Sequence, residues 1–326
     1  MLMQNKELSL FVKQAAAEVG FDACGLTKAE ELTEDADYIK QWLSEGKHGD
    51  MYFLTQNFDK RTDPQKLVPG CKSVVAVLLN YFPDKLQNPT APQIAKYAYS
   101  AIDYHFVIKE KLKQLEQKIT EKFGSEIVAY DFQHAFVDSS PVLERRWAQR
   151  AGLGWIGKNM QLIHPGLGSF VFIGILMLNV ETEYDEPIAS RCGKCTRCID
   201  ACPTKALENN GLNATKCISY LTIESKQEID SQFHSMLSNY VLGCDICGNV
   251  CPWNRKWATT HQHNELSPLN QNFKKESVLD WNVETWEHLS KEIFNRIFKN
   301  SAIKRAGYEK LKQNIEIIRN TAKVEQ

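Results

Sequence analysis

Residues 192–203 read C-G-K-C-T-R-C-I-D-A-C-P, and residues 244–252 read C-D-I-C-G-N-V-C-P. The first stretch is C-x2-C-x2-C-x3-C-P, a spacing that holds [4Fe–4S] clusters in pairs. Three closely spaced thiolates wrap one cubane through tight turns, and the fourth, followed by proline, reaches the neighbouring cluster. The second stretch repeats C-x2-C-x3-C-P, with its opening cysteine, Cys217, displaced by an insertion of about 24 residues. Reciprocal ligation then assigns Cys192, Cys195, Cys198 and Cys251 to cluster 1, and Cys202, Cys217, Cys244 and Cys247 to cluster 2. Zinc is the reading a lone C-x2-C pair would invite. Eight ligands with two Cys-Pro endings weigh against it. Ten cysteines without an export signal also argue against disulfides. Cys24 and Cys71 stand outside the constellation, each beside an apolar segment, as ordinary buried thiols do.

Upstream of the cysteines the chain alternates strand and helix. Leu8, Phe11, Val12, Ala15, Ala16 and Val19 recur at helical spacing, with Gly20 to end the helix. Ser73–Tyr81 is apolar without alternation, as expected of a strand covered on both faces. Asp103 caps a predicted helix with the stripe Ile108, Leu112, Leu115, Ile119 and Phe123. Glu126–Tyr130 and Ser169–Val180 read as further strands, and Ser140-Pro141 as the start of a helix that Gly152 closes. The expected architecture is α+β: a first domain of α/β type over residues 1–180, a ferredoxin-like two-cluster domain over 181–255, and a helical region over 256–326.

With 326 residues and a formal net charge of −1, the chain is no uniformly basic nucleic-acid binder. Any such contact must be local. Arg296–Gln326 carries eight bases against three acids, a net +5 suited to phosphates. No apolar run reaches the length of a membrane span, and the N-terminus has no leader pattern, so a cytoplasmic protein is expected. Two clusters form an electron wire, and a free-standing carrier needs far fewer residues than this. The preceding 180 residues are therefore expected to take up the electrons.

The remaining motifs specify the acceptor. Gly49–Ser73 reads GDMYFLTQNFDKRTDPQKLVPGCKS, Lys96-Tyr97-Ala98 precedes Asp103-Tyr104-His105, and Phe136–Asn159 reads FVDSSPVLERRWAQRAGLGWIGKN. CPTKAL, CISYLTIE, CDICGNVCPWN and, near the end, SAIKRAG follow. Over essentially the whole chain this set resembles the epoxyqueuosine reductase family. The resemblance implies reduction of the epoxide of epoxyqueuosine to queuosine at the wobble position of tRNAs for Tyr, His, Asp and Asn. It also implies cobalamin fed by two [4Fe–4S] clusters, and an electron donor whose identity the sequence leaves open. Nothing in the sequence demands more than a monomer.

By the same resemblance Asp138 is the proton donor. Arg61, Asp138, Asn159, Leu162 and Ser219 are expected at cobalamin, and Lys304 and Arg305 at tRNA. Asp138 precedes the expected helix at Pro141, whose dipole would favour the carboxylate. The family's usual glycine before Asp103 is replaced here by Ser100-Ala101-Ile102, and no D-x-H-x-x-G is present to supply a lower axial histidine. Two other readings share parts of the plan. One is a corrinoid reductive dehalogenase, which typically carries a twin-arginine signal. The other is an electron carrier whose first domain only docks.

Overall fold

The computed structural model describes residues 2–128, 135–208, 211–269 and 277–324. Four strands, β1 (Ala23–Lys28), β2 (Ser73–Asn80), β3 (Ala135–Phe136) and β4 (Val171–Leu178), form one sheet in the order β1-β2-β4-β3. All eight residues of β2 are buried. Its side chains alternate between two cores. Val75, Val77 and Leu79 meet Val12 from the Leu2–Glu18 helix and Ile108 and Leu112 from the Tyr104–Phe123 helix. Val74, Ala76 and Leu78 meet Trp147 and Ala148 of the Glu144–Arg150 helix. The unbroken apolar run therefore reports two covered faces, as expected.

Every ladder of this sheet is antiparallel. A strand buried on both faces is the habit of parallel sheets, but here helices cover both sides of antiparallel strands, so the architecture is α+β. Gly174 makes one of these close approaches possible. A Cβ there would stand 2.9 Å from Ile108 Cγ2 and 3.0 Å from Val77 Cγ2.

Two expected elements are corrected. The helix foreseen from Ser140-Pro141 begins at Glu144 instead, and ends before Gly152 at φ +73°. Tight turns occupy residues 137–142, with Ser139 N–H donating to Val137 O and Val142 N–H to Ser140 O. Pro141 also disfavours helical backbone at Ser140. In place of the strand foreseen over 126–130, Ser125–Ile127 is a 3-10 turn and Val128 makes a single bridge to Leu178. The rest of that stretch lies outside the described residues.

A third core draws on all three sequence ranges. Ile94 and Tyr99, Ile218 to Leu242, and Trp286, Phe294, Leu311 and Ile315 pack together. Its polar centre is Asn314, fully buried, whose Nδ2 donates to Thr222 O at 3.0 Å and Val241 O at 2.9 Å. The closing Tyr308–Val324 helix is thereby fastened to the segments carrying Cys217 and Cys244.

Candidate active site and cluster cavities

Cys192, Cys195, Cys198 and Cys251 line one cavity of about 210 Å³, together with Asn159, Trp253 and Trp257. Tight turns present the first three. Cys195 N–H donates to Cys192 O, and Lys158 Nζ donates to the carbonyls of Gly193 and Cys195 from outside the loop. Cys251 arrives at the start of the Pro252–Lys256 helix, whose first position is the proline of the motif. Among the described residues no three His, Cys, Asp or Glu side chains converge on a single ion. Four thiols spread around a cavity match a cluster better than zinc.

The other four cysteines face each other electrostatically. Burial pushes the Cys247 thiol up to about 12, with Cys217 and Cys202 adding to it, and burial likewise raises Cys244, next to Cys247 and Cys217. Thiols raised in this way lose their protons when they ligate a metal. Cys198 also acts on Cys247, so the two sets are neighbours. The Cys244–Cys247 loop is held by the segment that precedes the Tyr104–Phe123 helix. Lys96 Nζ lies 3.4 Å from Asp245 Oδ2 and donates to Asn249 Oδ1 at 2.6 Å, over the Phe170 ring. Both members of that ion pair are under 10% exposed, at 6% and 9%. Cys24 and Cys71 are elsewhere, their thiols pushed up to about 12 by burial.

Cys244 and Cys247 also form one wall of a cleft of about 470 Å³. Tyr81, Tyr97, Tyr104, Phe170 and Phe172 give it broad aromatic surfaces, and Ser219, Asp138, Glu144 and Arg145 give it polar ones. A second cavity of about 580 Å³ shares Asp138, Glu224 and Arg305 with the first and adds Arg61 and His105. The combined space suits a large, flat, mostly apolar ring beside a second ligand. It also contains orphaned polar atoms. Arg61 is buried with Nη2 on Phe53 O and Nε without a partner, and Glu144 Oε1 has none either. Unsatisfied buried groups at a cavity wall mark where a polar ligand belongs.

Asp138 is the residue common to both cavities. It sits in a left-handed turn, φ +51°, two residues past the end of β3, a conformation Asp tolerates better than most residues. Tyr104 Oη donates to its Oδ2, and His105 Nε2 stands 3.7 Å away with Nδ1 held 2.7 Å from Asp103 Oδ1. Its side chain is 54% exposed. The following helix starts six residues later, so Asp138 is not one of its capping residues. Burial, and then the charge of Asp138, raises Tyr104 well above the usual phenol. Burial first, and then Asp138, also raises the Glu144 carboxyl to about 8.

The other expected site residues divide. Arg61, Ser219 and Arg305 line the cleft; Arg305 pairs with Glu224 at 2.5 Å. Asn159 and Leu162 do not. The Trp155–Ile163 hairpin turns Asn159 toward Cys192 and Cys198, with Nδ2 buried and unpartnered, while strand alternation sends Leu162 into the core beside Trp147. Gln161, between them, is the hairpin side chain that reaches the cleft. Lys304 is exposed outside it, with Nζ on Asn295 Oδ1. Two of the eight C-terminal bases are used internally, Lys310 on Gln227 O and Lys312 on Glu287 O. Sequence reading missed Glu144 and the Tyr104–His105 pair, although both lie in quoted motifs. Among the described residues lining the two cavities, His105 is the only imidazole, and it sits on the Asp138 side.

Comparison with known proteins agrees with this arrangement. Residues 191–254 match the family model described as 4Fe-4S double cluster binding domain, and residues 61–139 match Epoxyqueuosine reductase QueG, DUF1730. The epoxyqueuosine reductase of Leadbetterella byssophila is 45% identical over 314 residues, covering 96% of this chain and 99% of that one. A crystal structure of epoxyqueuosine reductase with an epoxyqueuosine-modified tRNA-Tyr stem loop superposes with a TM-score of 0.82 at 29% identity. It covers 96% of this chain and 80% of that one. The Bacillus subtilis epoxyqueuosine reductase, with an aspartate catalytic loop swung out of the active site, gives 0.80 at 28% identity, covering 96% and 81%. The chain belongs to the epoxyqueuosine reductase family.

Proposed function

We propose that this protein reduces epoxyqueuosine in tRNA to queuosine, using cobalamin and two [4Fe–4S] clusters. The observation that carries the reading is the cleft where Asp138, an aromatic wall and cysteines of the second cluster set meet. Residues 1–180 serve as the catalytic, cobalamin-binding part, 181–255 as the ferredoxin-like part, and 256–326 as a tRNA-facing part.

Cobalamin, when bound, supplies a strongly reducing centre at the substrate. Arg61, with its free Nε, and Ser219 are suited to the polar rim of such a ring, and Tyr81, Phe170 and Phe172 to its faces. The cluster ligands are Cys192, Cys195, Cys198 and Cys251 for one and Cys202, Cys217, Cys244 and Cys247 for the other.

Converting an epoxide to an alkene breaks both C–O bonds and releases the oxygen as water, consuming two electrons and two protons. Asp138 delivers the first proton to the oxygen as it leaves carbon. Its hydrogen bond from Tyr104 fixes the carboxyl, and the turn it occupies gives it freedom to approach. The relative with its aspartate loop swung out supports such movement. Glu144, still protonated near neutral pH, is the source of the second proton. Arg305 and Lys304 meet phosphates at the cleft mouth.

Asp138→Asn keeps the left-handed turn, since Asn also tolerates it. The expected result is loaded clusters and cobalamin with turnover down by about 10²–10⁴-fold. Turnover at the wild-type rate would remove Asp138 as the acid. Nucleoside analysis of tRNA from a strain lacking the protein tests the activity itself, with epoxyqueuosine accumulating in place of queuosine.

A further inference from the structure

The cavity of Cys192, Cys195, Cys198 and Cys251 shares no lining residue with the Asp138 cleft. Its outer rim is strongly basic. Between Pro187 and Leu207 four bases stand against one acid, Asp200, which is hydrogen-bonded to Thr196. Lys256 comes from the helix after Cys251, its Nζ over the Trp257 ring, and Lys158 from the facing hairpin. Arg191, Lys194, Arg197 and Lys256 are exposed, and among the described residues none is in an ion pair. Lysines elsewhere on the surface commonly are paired, as Lys13, Lys47 and Lys118 show. A chain of net charge −1 thus keeps a block of uncompensated cations at one place.

An aromatic ladder runs through the middle of that block. Trp155 is fully buried beside the cavity, Trp253 meets it edge-on at 4.8 Å, and Trp257 follows at 4.6 Å, 49% exposed. A tryptophan ringed by arginines and lysines is the composition of a protein docking site, with an apolar centre and a charged rim. Its position sets the partner's chemistry. Electrons must enter where a cluster lies under the surface and must not cross the substrate cleft, which the other cysteine set borders.

We propose that the face formed by Arg191, Lys194, Arg197, Lys256 and Trp257 docks a small acidic one-electron carrier protein that reduces the cluster of Cys192, Cys195, Cys198 and Cys251. This rests on the cluster reading given above. The carrier loses one electron, the cluster gains it, and the cluster nearer the cleft takes it in turn; no proton or bond changes. Charge complementarity raises the encounter rate and makes it fall with salt.

The test uses the fully loaded protein and an acidic flavodoxin in its two-electron-reduced form, with cluster reduction followed by stopped-flow absorbance. Iron content and electron paramagnetic resonance first establish that both clusters are present. Their absence from the wild type would overturn the cluster reading itself. Arg191→Glu combined with Lys256→Glu is expected to lower the second-order rate constant about tenfold or more at low salt and to flatten its salt dependence. Light-driven reduction by neutral deazaflavin stays at the wild-type rate, showing that the clusters are intact. Trp257→Ala, which removes only an exposed ring, lowers the same rate constant without altering the salt slope. Wild-type rates with flavodoxin in both variants overturn the proposal. So does a loss of tRNA affinity in the double variant with flavodoxin reduction unchanged, which would make the face a nucleic-acid surface.

Discussion

Glu144 joins a carboxyl with an unpartnered Oε1 to a pKa of about 8, and that combination has a thermodynamic sign. The folded value lies above the ordinary 4.5, so between those limits the folded state binds more protons than the unfolded chain. Stability from this group is present at low pH and is lost as pH rises through about 8. Glu144→Gln removes the loss. Denaturant unfolding should show little difference from wild type at pH 5 and a gain on the order of 1–3 kcal/mol at pH 9. An equal gain at both values would place the proton elsewhere. At this scale legibility was uneven. The two cysteine runs were readable as cluster motifs because their spacing is local, and Cys217 only as the cysteine the second run lacked. That Asp138 stands at the cleft was suggested only by family resemblance, since no local pattern distinguishes it from a turn aspartate. Glu144 lay in plain sight in V-L-E-R-R, but its burial depends on a cleft closed by residues far along the chain.

The elements that position these side chains meet at a few close contacts. Gly25 on β1 lies against the end of the Glu144–Arg150 helix, where an added Cβ would collide with the backbone carbonyl of Ala151. Backbone cannot step aside as a side chain can. Gly25→Ala should therefore cost about 3 kcal/mol and displace the helix that presents Glu144; an unchanged melting temperature would refute this. The Lys96–Asp245 pair fastens the Cys244–Cys247 loop to the segment that precedes the Tyr104–Phe123 helix. Lys96→Met leaves a buried carboxylate without its cation, a change worth about 3–5 kcal/mol. The expected readout is selective loss of one cluster, seen as about half the iron. Full iron content would mean the thiolates hold the loop alone. Helices and buried strands were foreseen where long apolar periods exist, as in Tyr104–Phe123 and β2. The start of the Glu144 helix was misplaced because the turns at 137–142 satisfy the backbone locally in a way that Ser-Pro does not announce.

For the whole molecule the question is how a chain of net charge −1 engages a polyanion. The basic tail was legible as composition, but the structure spends Lys310 and Lys312 on internal carbonyls and leaves Lys304 and Arg305 exposed, Arg305 at the cleft. Lys304→Glu with Arg305→Glu should weaken tRNA binding and reduce the slope of log K against log salt by about two. An unchanged slope would mean that the tRNA backbone passes elsewhere. Strand direction in the sheet was not legible at all. Strand and helix alternate in the sequence, yet the ladders are antiparallel, because pairing is decided by long-range closure rather than by any segment's own pattern.

Asn314 carries one more implication, concerning time. Its amide ties the last helix to the carbonyls of Thr222 and Val241, on the two segments that bring Cys217 and Cys244 together. During synthesis the ribosome delivers those cysteines well before the residue that secures them. Docking of the closing helix is therefore expected to precede iron loading of the Cys202, Cys217, Cys244 and Cys247 set, and ribosome-stalled chains ending short of Asn314 should leave it unfilled.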